Sequence, residues 1–113
     1  MIFRRLFHQP SVAEVTPEEA SSKQKTGAVI VDVREPSEWK EGHIPGAIHI
    51  PLGSLSSHLG DLDTSREIIM VCRSGHRSMS AAQLLQRAGF SQVKNMTGGM
   101  ISWTRQRLPI SKK

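Results

Sequence analysis

Glu67-Ile68-Ile69-Met70-Val71-Cys72-Arg73-Ser74-Gly75-His76-Arg77-Ser78 is the stretch that decides the fold. Its first five residues, of which Ile68 to Val71 are apolar and largely β-branched, read as a short buried strand. The residues from Ser78 to Ala88 read as a helix. Ala81, Leu84, Leu85 and Ala88 fall at i, i+3, i+4 and i+7 and predict an inward face, and Gly89 suits the position after a helix end. Between strand and helix lies a loop with three basic side chains, no acid and a single thiol. Cys72 is the only cysteine of the chain. A helix N-terminus offers unpaired N–H groups and a positive dipole, which hold anions and lower a thiol pKa. A lone cysteine is more often a small buried hydrophobe. Arg73, His76, Arg77 and the turn-forming Ser74-Gly75 argue against that here, because a strand-end hydrophobe needs none of them. A nest of N–H groups around a sulfur needs a loop of this kind.

Working outward, strands and helices alternate. Val12–Val15 is a first strand, and Thr16-Pro17-Glu18-Glu19 matches a capping box with Pro at the first helical position. Ala28–Val33 is a continuous apolar run, interrupted by Asp32 near its end. Pro36–Lys40 predicts a short helix stopped by Gly42. Ala47–Ile50 reads as a strand and Leu52–Leu59 as a short helix. Gln92–Met96 reads as the last strand and Gly99–Arg107 as the last helix, ended by Pro109. This alternation implies a parallel sheet covered on both faces, with ligands bound beyond the carboxyl ends of strands. Cys72 and the segment Asp32-Val33-Arg34 both lie at such ends.

Three segments resemble the rhodanese-type sulfurtransferases. Cys72 to Ser78 is similar to their active-site loop, Cys-Arg-x-Gly-x-Arg-Ser/Thr. Residues 30–51, from Ile30-Val31-Asp32-Val33-Arg34 to Gly42-His43-Ile44-Pro45-Gly46-Ala47, resemble the N-terminal signature. Gly98-Gly99-Met100-Ile101-Ser102-Trp103 resembles the C-terminal one. The resemblance implies a three-layer α/β/α fold around a central, mostly parallel five-stranded sheet. It also implies a division into an N-terminal tail (1–11), a rhodanese-like domain (12–108) and a C-terminal tail (109–113).

The implied chemistry is sulfur transfer. Cys72 would take the outer sulfur of thiosulfate or a persulfide donor and pass it, as a persulfide, to cyanide or a thiol. Arg73, Ser74, Gly75, His76, Arg77 and Ser78 would form the substrate-binding loop. Within it Arg73 faces the anionic donor or is a solvated charge, and Arg77 closes the loop or pairs with Glu35 or Glu38. Asp32 and Arg34 are supporting residues that, with His43, mostly hold loops; of these Arg34 is the one placed to touch an anion. Trp39 and Trp103 read as packing. No cofactor and no metal are expected, since the five histidines show no paired ligand spacing and one cysteine cannot build a structural zinc site. Two other readings stay open: a cysteine-dependent phosphatase, and a non-catalytic sulfide-sensing or interaction module.

Composition narrows the partners. A chain of 113 residues fits one core. One cysteine excludes an internal disulfide framework and fits a reducing compartment, the cytoplasm. No apolar run approaches the ~20 residues of a membrane span. Met1-Ile2-Phe3-Arg4-Arg5-Leu6-Phe7 lacks the continuous apolar core of a signal peptide and reads as a loose tail. All ten acidic residues lie at or before Glu67, while eight of the fifteen Lys and Arg residues follow it. The first part therefore carries −3 and the second +8. The basic part holds the Cys72 loop, which favours small anionic ligands. Nucleic acid is not expected as a partner, because no aromatic residues interleave with the basic ones to form a stacking platform. A protein sulfur acceptor fits the same site.

Overall fold

The computed structural model describes residues 9–113, so the N-terminal stretch Met1–His8 lies outside the described residues. Among the described residues there are five strands and four α-helices, in the order β1 (Ala13–Val15), α1 (Pro17–Lys25), β2 (Val29–Asp32), α2 (Pro36–Glu41), β3 (Ile48–His49), β4 (Ile68–Val71), α3 (His76–Arg87), β5 (Val93–Met96) and α4 (Gly99–Arg105). The strands form one sheet in the order β1-β5-β4-β2-β3, and every pairing is parallel.

β4 is central, and its four residues are all buried. The side-chain period of two splits them between two cores. Ile68 and Met70, with Cys72 continuing the alternation, join the cluster built on Ala81, Ala82 and Leu85 of α3 and on Leu55. Ile69 and Val71 face the other cluster, with Ala20 of α1 and Met100 and Trp103 of α4. The sheet is thus covered on both faces. Burying a side chain such as Leu85 contributes about 1.5–3 kcal/mol.

The capping box at α1 is present. Glu19 N donates to Thr16 Oγ1 (3.1 Å), and Thr16 N donates to Glu19 Oε1 (2.8 Å). Three sequence expectations need correction. α3 starts at His76 rather than Ser78, because Gly75 takes φ +107° and begins the helix earlier. Its inward face is Ser78, Ala81, Ala82 and Leu85; Ala88 lies past the helix end and is exposed. The expected helix at 52–59 is two 3-10 segments, Leu52–Ser57 and Leu59–Asp61. Gly53, Ser54, Ser56, Ser57 and Gly60 are poor helix formers, and Leu55 is the only residue the two segments bury.

The segment expected as a C-terminal tail doubles back onto the domain. Ser111 and His43 exchange backbone hydrogen bonds of 2.8 Å each way, and Trp103 Nε1 donates to the Pro109 carbonyl (2.8 Å). At the other end Gln9 Nε2 donates to the Gln83 carbonyl of α3 (2.9 Å). Among the described residues no helix is long and apolar enough to cross a membrane.

Candidate active site

β4 delivers Cys72 to the carboxyl edge of the sheet, and the chain turns at once into α3. Cys72 is buried, at 1% exposure. Its Sγ accepts from Gly75 N (3.1 Å) and lies 3.2 Å from the Ser78 hydroxyl. Burial pushes the thiol up. The hydroxyl of Ser78 and the N–H groups of Ser78, Gly75 and Ser74 outweigh it, and the thiol ends below its ordinary value. The first turn of α3 adds N–H groups, at His76 and Arg77, that have no acceptor within the helix. The loop is therefore a ring of donors around one sulfur.

The basic side chains do less for the sulfur than their sequence position suggests. Arg77 forks onto Glu38 of α2, with Nη1 to Oε1 at 2.7 Å and Nη2 to Oε2 at 2.8 Å. The Arg77 guanidinium holds the Glu38 carboxyl down from 4.5 to about 2, and the same pairing raises Arg77. Of the two partners expected for Arg77, Glu38 is the one it meets, and the pair ties the start of α3 to α2. Arg73 and His76 are exposed, and His76 Nδ1 lies 3.2 Å from Ser74 Oγ. Hydrogen bonds lead the lowering of Cys72, and of the basic side chains Arg77 is the one that also interacts with the sulfur's charge.

Asp32 and Arg34 form a buried pair beside the loop. Arg34 Nε lies 3.0 Å from both carboxylate oxygens of Asp32, and its Nη2 is 2.7 Å from Oδ2. The same Nη2 donates to the Gly42 carbonyl (2.8 Å). A buried arginine bonded this way ties the end of β2 to the C-terminal end of α2. Arg34 also lines a cleft of about 410 Å³ shared with Arg73, Met100, Ile101, Thr104 and Ile110. Trp39 packs between imidazoles: its ring stacks on His43 at 3.5 Å and on His49 at 4.7 Å between centroids. His43 Nδ1 is 2.8 Å from the Trp39 carbonyl, so this histidine also holds a loop. Trp103 lies in the core.

Two contributions to the site were not found by sequence reasoning. The first is the start of α4. Met100 N donates to the Cys72 carbonyl (2.9 Å) and Ile101 N to the Arg73 carbonyl (3.1 Å). These bonds turn the loop carbonyls outward and leave its N–H groups for the sulfur. Such an approach requires Gly99, since a Cβ there would overlap both carbonyl oxygens. The paired glycines before the helix were the available signal. The second is Asn95 on β5, whose Oδ1 lies 2.6 Å from Ser78 Oγ. A polar residue between buried Val93 and Met96 was its only sign.

A parallel α/β sheet that presents one thiol inside a ring of donors defines a class: proteins that stabilise an anionic sulfur at a strand end. The family follows from comparison. The model of the rhodanese-like domain matches residues 16–106, and the chain belongs to that family. Thiosulfate sulfurtransferase GlpE of Stutzerimonas stutzeri is 39% identical over 89 residues, which are 79% of this chain and 82% of that one. YrkF of Bacillus subtilis is 44% identical over 75 residues. These are 66% of this chain but 40% of YrkF, so the chain spans less than half of that relative. Among solved structures, a rhodanese-related protein from Thermoplasma volcanium matches with a TM-score of 0.83 at 26% identity. The match covers 89% of this chain and 99% of that one.

Proposed function

We propose that the protein is a sulfurtransferase that carries sulfane sulfur on Cys72. The observation that carries this reading is the sulfur's hydrogen bonding: a buried thiol held below its ordinary pKa by a hydroxyl and three backbone N–H groups. The Cys72 thiolate attacks the outer sulfur of thiosulfate or of a persulfide donor. With thiosulfate the S–S bond of the donor breaks, sulfite leaves with the electron pair, and Cys72 becomes a persulfide. Cyanide or a thiol then attacks the terminal sulfur and leaves as thiocyanate or a new persulfide, returning the Cys72 thiolate. Two half-reactions through a covalent intermediate give ping-pong kinetics. The N–H groups from Arg73 to Arg77 hold the charge of the terminal sulfur, as an oxyanion hole holds oxygen. Arg73, exposed at the rim, meets the anionic donor. Asp32, Arg34 and the Arg77–Glu38 pair keep the surrounding loops in place.

The working unit is residues 12–108, and a protein thiol is an acceptor as fitting as a small one. The cytoplasm, where a lone thiol stays reduced, is the compartment that suits this chemistry. Four residues separate Cys72 from Arg77. Cysteine-dependent phosphatases place five there, and a wider ring suits a phosphoryl group. The test is intact mass after incubation with thiosulfate, with an aryl phosphate assay beside it. The wild type is expected to gain one sulfur atom, lost again to a thiol reductant, and to leave the ester intact. Cys72→Ser is expected to gain nothing. Sulfur transfer that survives in Cys72→Ser would overturn the mechanism. Phosphate release that is lost in Cys72→Ser would favour a phosphatase, and a thiol inert to every donor would favour a non-catalytic module.

A further inference from the structure

Asn95 stands behind the sulfur's own hydrogen-bond donor. It lies on β5, opposite Glu14 of β1 and Met70 of β4 in the parallel register, and is 1% exposed. Its Nδ2 donates to the Gly75 carbonyl (3.2 Å) and to Glu14 Oε2 (3.3 Å). Those two acceptors set the amide orientation, because turning it over would place Oδ1 against two oxygens. Oδ1 therefore faces the Ser78 hydroxyl at 2.6 Å, while the same hydroxyl is 3.2 Å from Cys72 Sγ. Ser78 has one hydroxyl proton, and one proton serves one of these acceptors at a time.

We propose that Asn95 is a positioning residue for Cys72, competing with the sulfur for the single proton of Ser78. When Cys72 is a thiol, Ser78 donates to Asn95 and the S–H donates to Ser78 Oγ. When the sulfur is an anion, the hydroxyl turns to it, and the buried Asn95 Oδ1 gives up its Ser78 donor. Asn95 thus restrains the stabilisation of the anion that the loop would otherwise reach. A less stabilised thiolate is the better nucleophile, since intrinsic reactivity falls as thiol pKa falls. The sulfur sits in a donor ring strong enough to hold its charge, and Asn95 keeps that ring from quenching it.

The ionisable groups on the surrounding elements are few. Arg77 of α3 is paired with Glu38 of α2, and Arg34 with Asp32 of β2. Arg73 and His76 of the loop are exposed, and Glu14 of β1 meets the far side of Asn95. Removing Asn95 frees no buried charge. It also leaves the Gly75 carbonyl with a second donor, Met79 N at 3.2 Å.

The inference rests on Cys72 as the reacting group, but its test needs no sulfur donor. The rate of iodoacetamide alkylation is followed against pH at fixed ionic strength in the wild type, Asn95→Leu, Ser78→Ala and the double variant. Circular dichroism melting accompanies each to report folding. Asn95→Leu is expected to lower the alkylation midpoint, on the order of one pH unit or tenfold in the ionisation constant. Its plateau rate at high pH is expected to fall below the wild type. Ser78→Ala is expected to raise the midpoint, and adding Asn95→Leu to it is expected to change nothing further. An unchanged or raised midpoint in Asn95→Leu would overturn the inference. So would the same shift in both backgrounds, because a packing effect would not depend on the Ser78 hydroxyl. Asn95→Ala carries the same cycle if leucine does not fit the strand. Failure here leaves persulfide formation standing, and failure of persulfide formation leaves this pH profile intact.

Discussion

Gly99→Ala is the perturbation that most directly tests how the loop is held. Gly99 has φ +56°, and a Cβ there would overlap the Cys72 and Arg73 carbonyl oxygens. Gly89 provides the control, with φ +99° and open space around the Cβ position. Both substitutions force alanine into left-handed backbone, at about 1–2 kcal/mol. Only Gly99→Ala must also push α4 off the loop, with loss of the Met100 and Ile101 N–H bonds to Cys72 and Arg73. Two such bonds are worth about 2 kcal/mol together. Gly99→Ala is therefore expected to cost about 3–4 kcal/mol against about 1–2 for Gly89→Ala. At roughly 4 °C per kcal/mol for a domain of this size, the two melting temperatures should differ by about 8 °C. Thermal unfolding by circular dichroism reads this directly, and alkylation of Cys72 reads the loop. With its carbonyls released the loop loses its inward N–H set, so the thiol pKa should rise in Gly99→Ala and stay put in Gly89→Ala. Equal melting temperatures for the two variants would refute the reasoning, since the clash with the loop is the one thing that separates them.

Glu38 contributes stability that is present above its unfolded pKa of about 4.5 and is lost as pH falls toward its folded value of about 2. The full shift corresponds to about 3 kcal/mol, which partial exposure of the pair reduces to about 1. Chemical denaturation from pH 7 to 2 should show the wild type converging on Glu38→Gln below pH 4.5, and parallel curves would count against the pair. The specificity constant for thiosulfate should fall as salt shortens the Debye length from about 10 Å at 0.1 M to about 3 Å at 1 M. Arg73→Ala should lose much of that dependence, and identical salt curves would reduce Arg73 to a solvated charge.

Much of the site could be read in the chain because its parts are local. The apolar run ending at Val71, the turn residues Ser74-Gly75 and the helix that follows place the thiol with no information from elsewhere. The alternation of strands and helices did the same for the parallel sheet. What escaped comes from distant segments. Gly99 and Asn95 are 27 and 23 positions beyond Cys72. A loop and a strand meet them only once the sheet order β1-β5-β4 is fixed. The partner of Arg77 could be narrowed to Glu35 or Glu38 but not chosen, since both flank the same turn of α2. The 3-10 segments escaped because Leu52, Leu55 and Leu59 suggest a helical stripe that the intervening serines and glycines cannot sustain.

The division of labour between charge and hydrogen bonding at the loop is the most informative feature of the site. Three basic residues near a thiol suggest Coulombic stabilisation; Arg77, although forked onto Glu38, does interact with the charge of Cys72, but hydrogen bonds lead the lowering and the other two basic residues are exposed. Hydrogen bonds act over about 3 Å and are little screened, whereas exposed charges act over a Debye length and are screened by salt. The loop therefore separates two tasks by range. Backbone N–H groups and the Ser78 hydroxyl set the state of the sulfur at contact distance. Arg73, and the basic half of the chain around it, act on an anionic donor before it arrives. The two tasks should respond oppositely to ionic strength: the alkylation midpoint of Cys72 with a neutral reagent should barely move between 0.1 and 1 M salt, while capture of thiosulfate weakens over that interval. A midpoint that climbs steeply with salt would return the stabilisation to the side-chain charges.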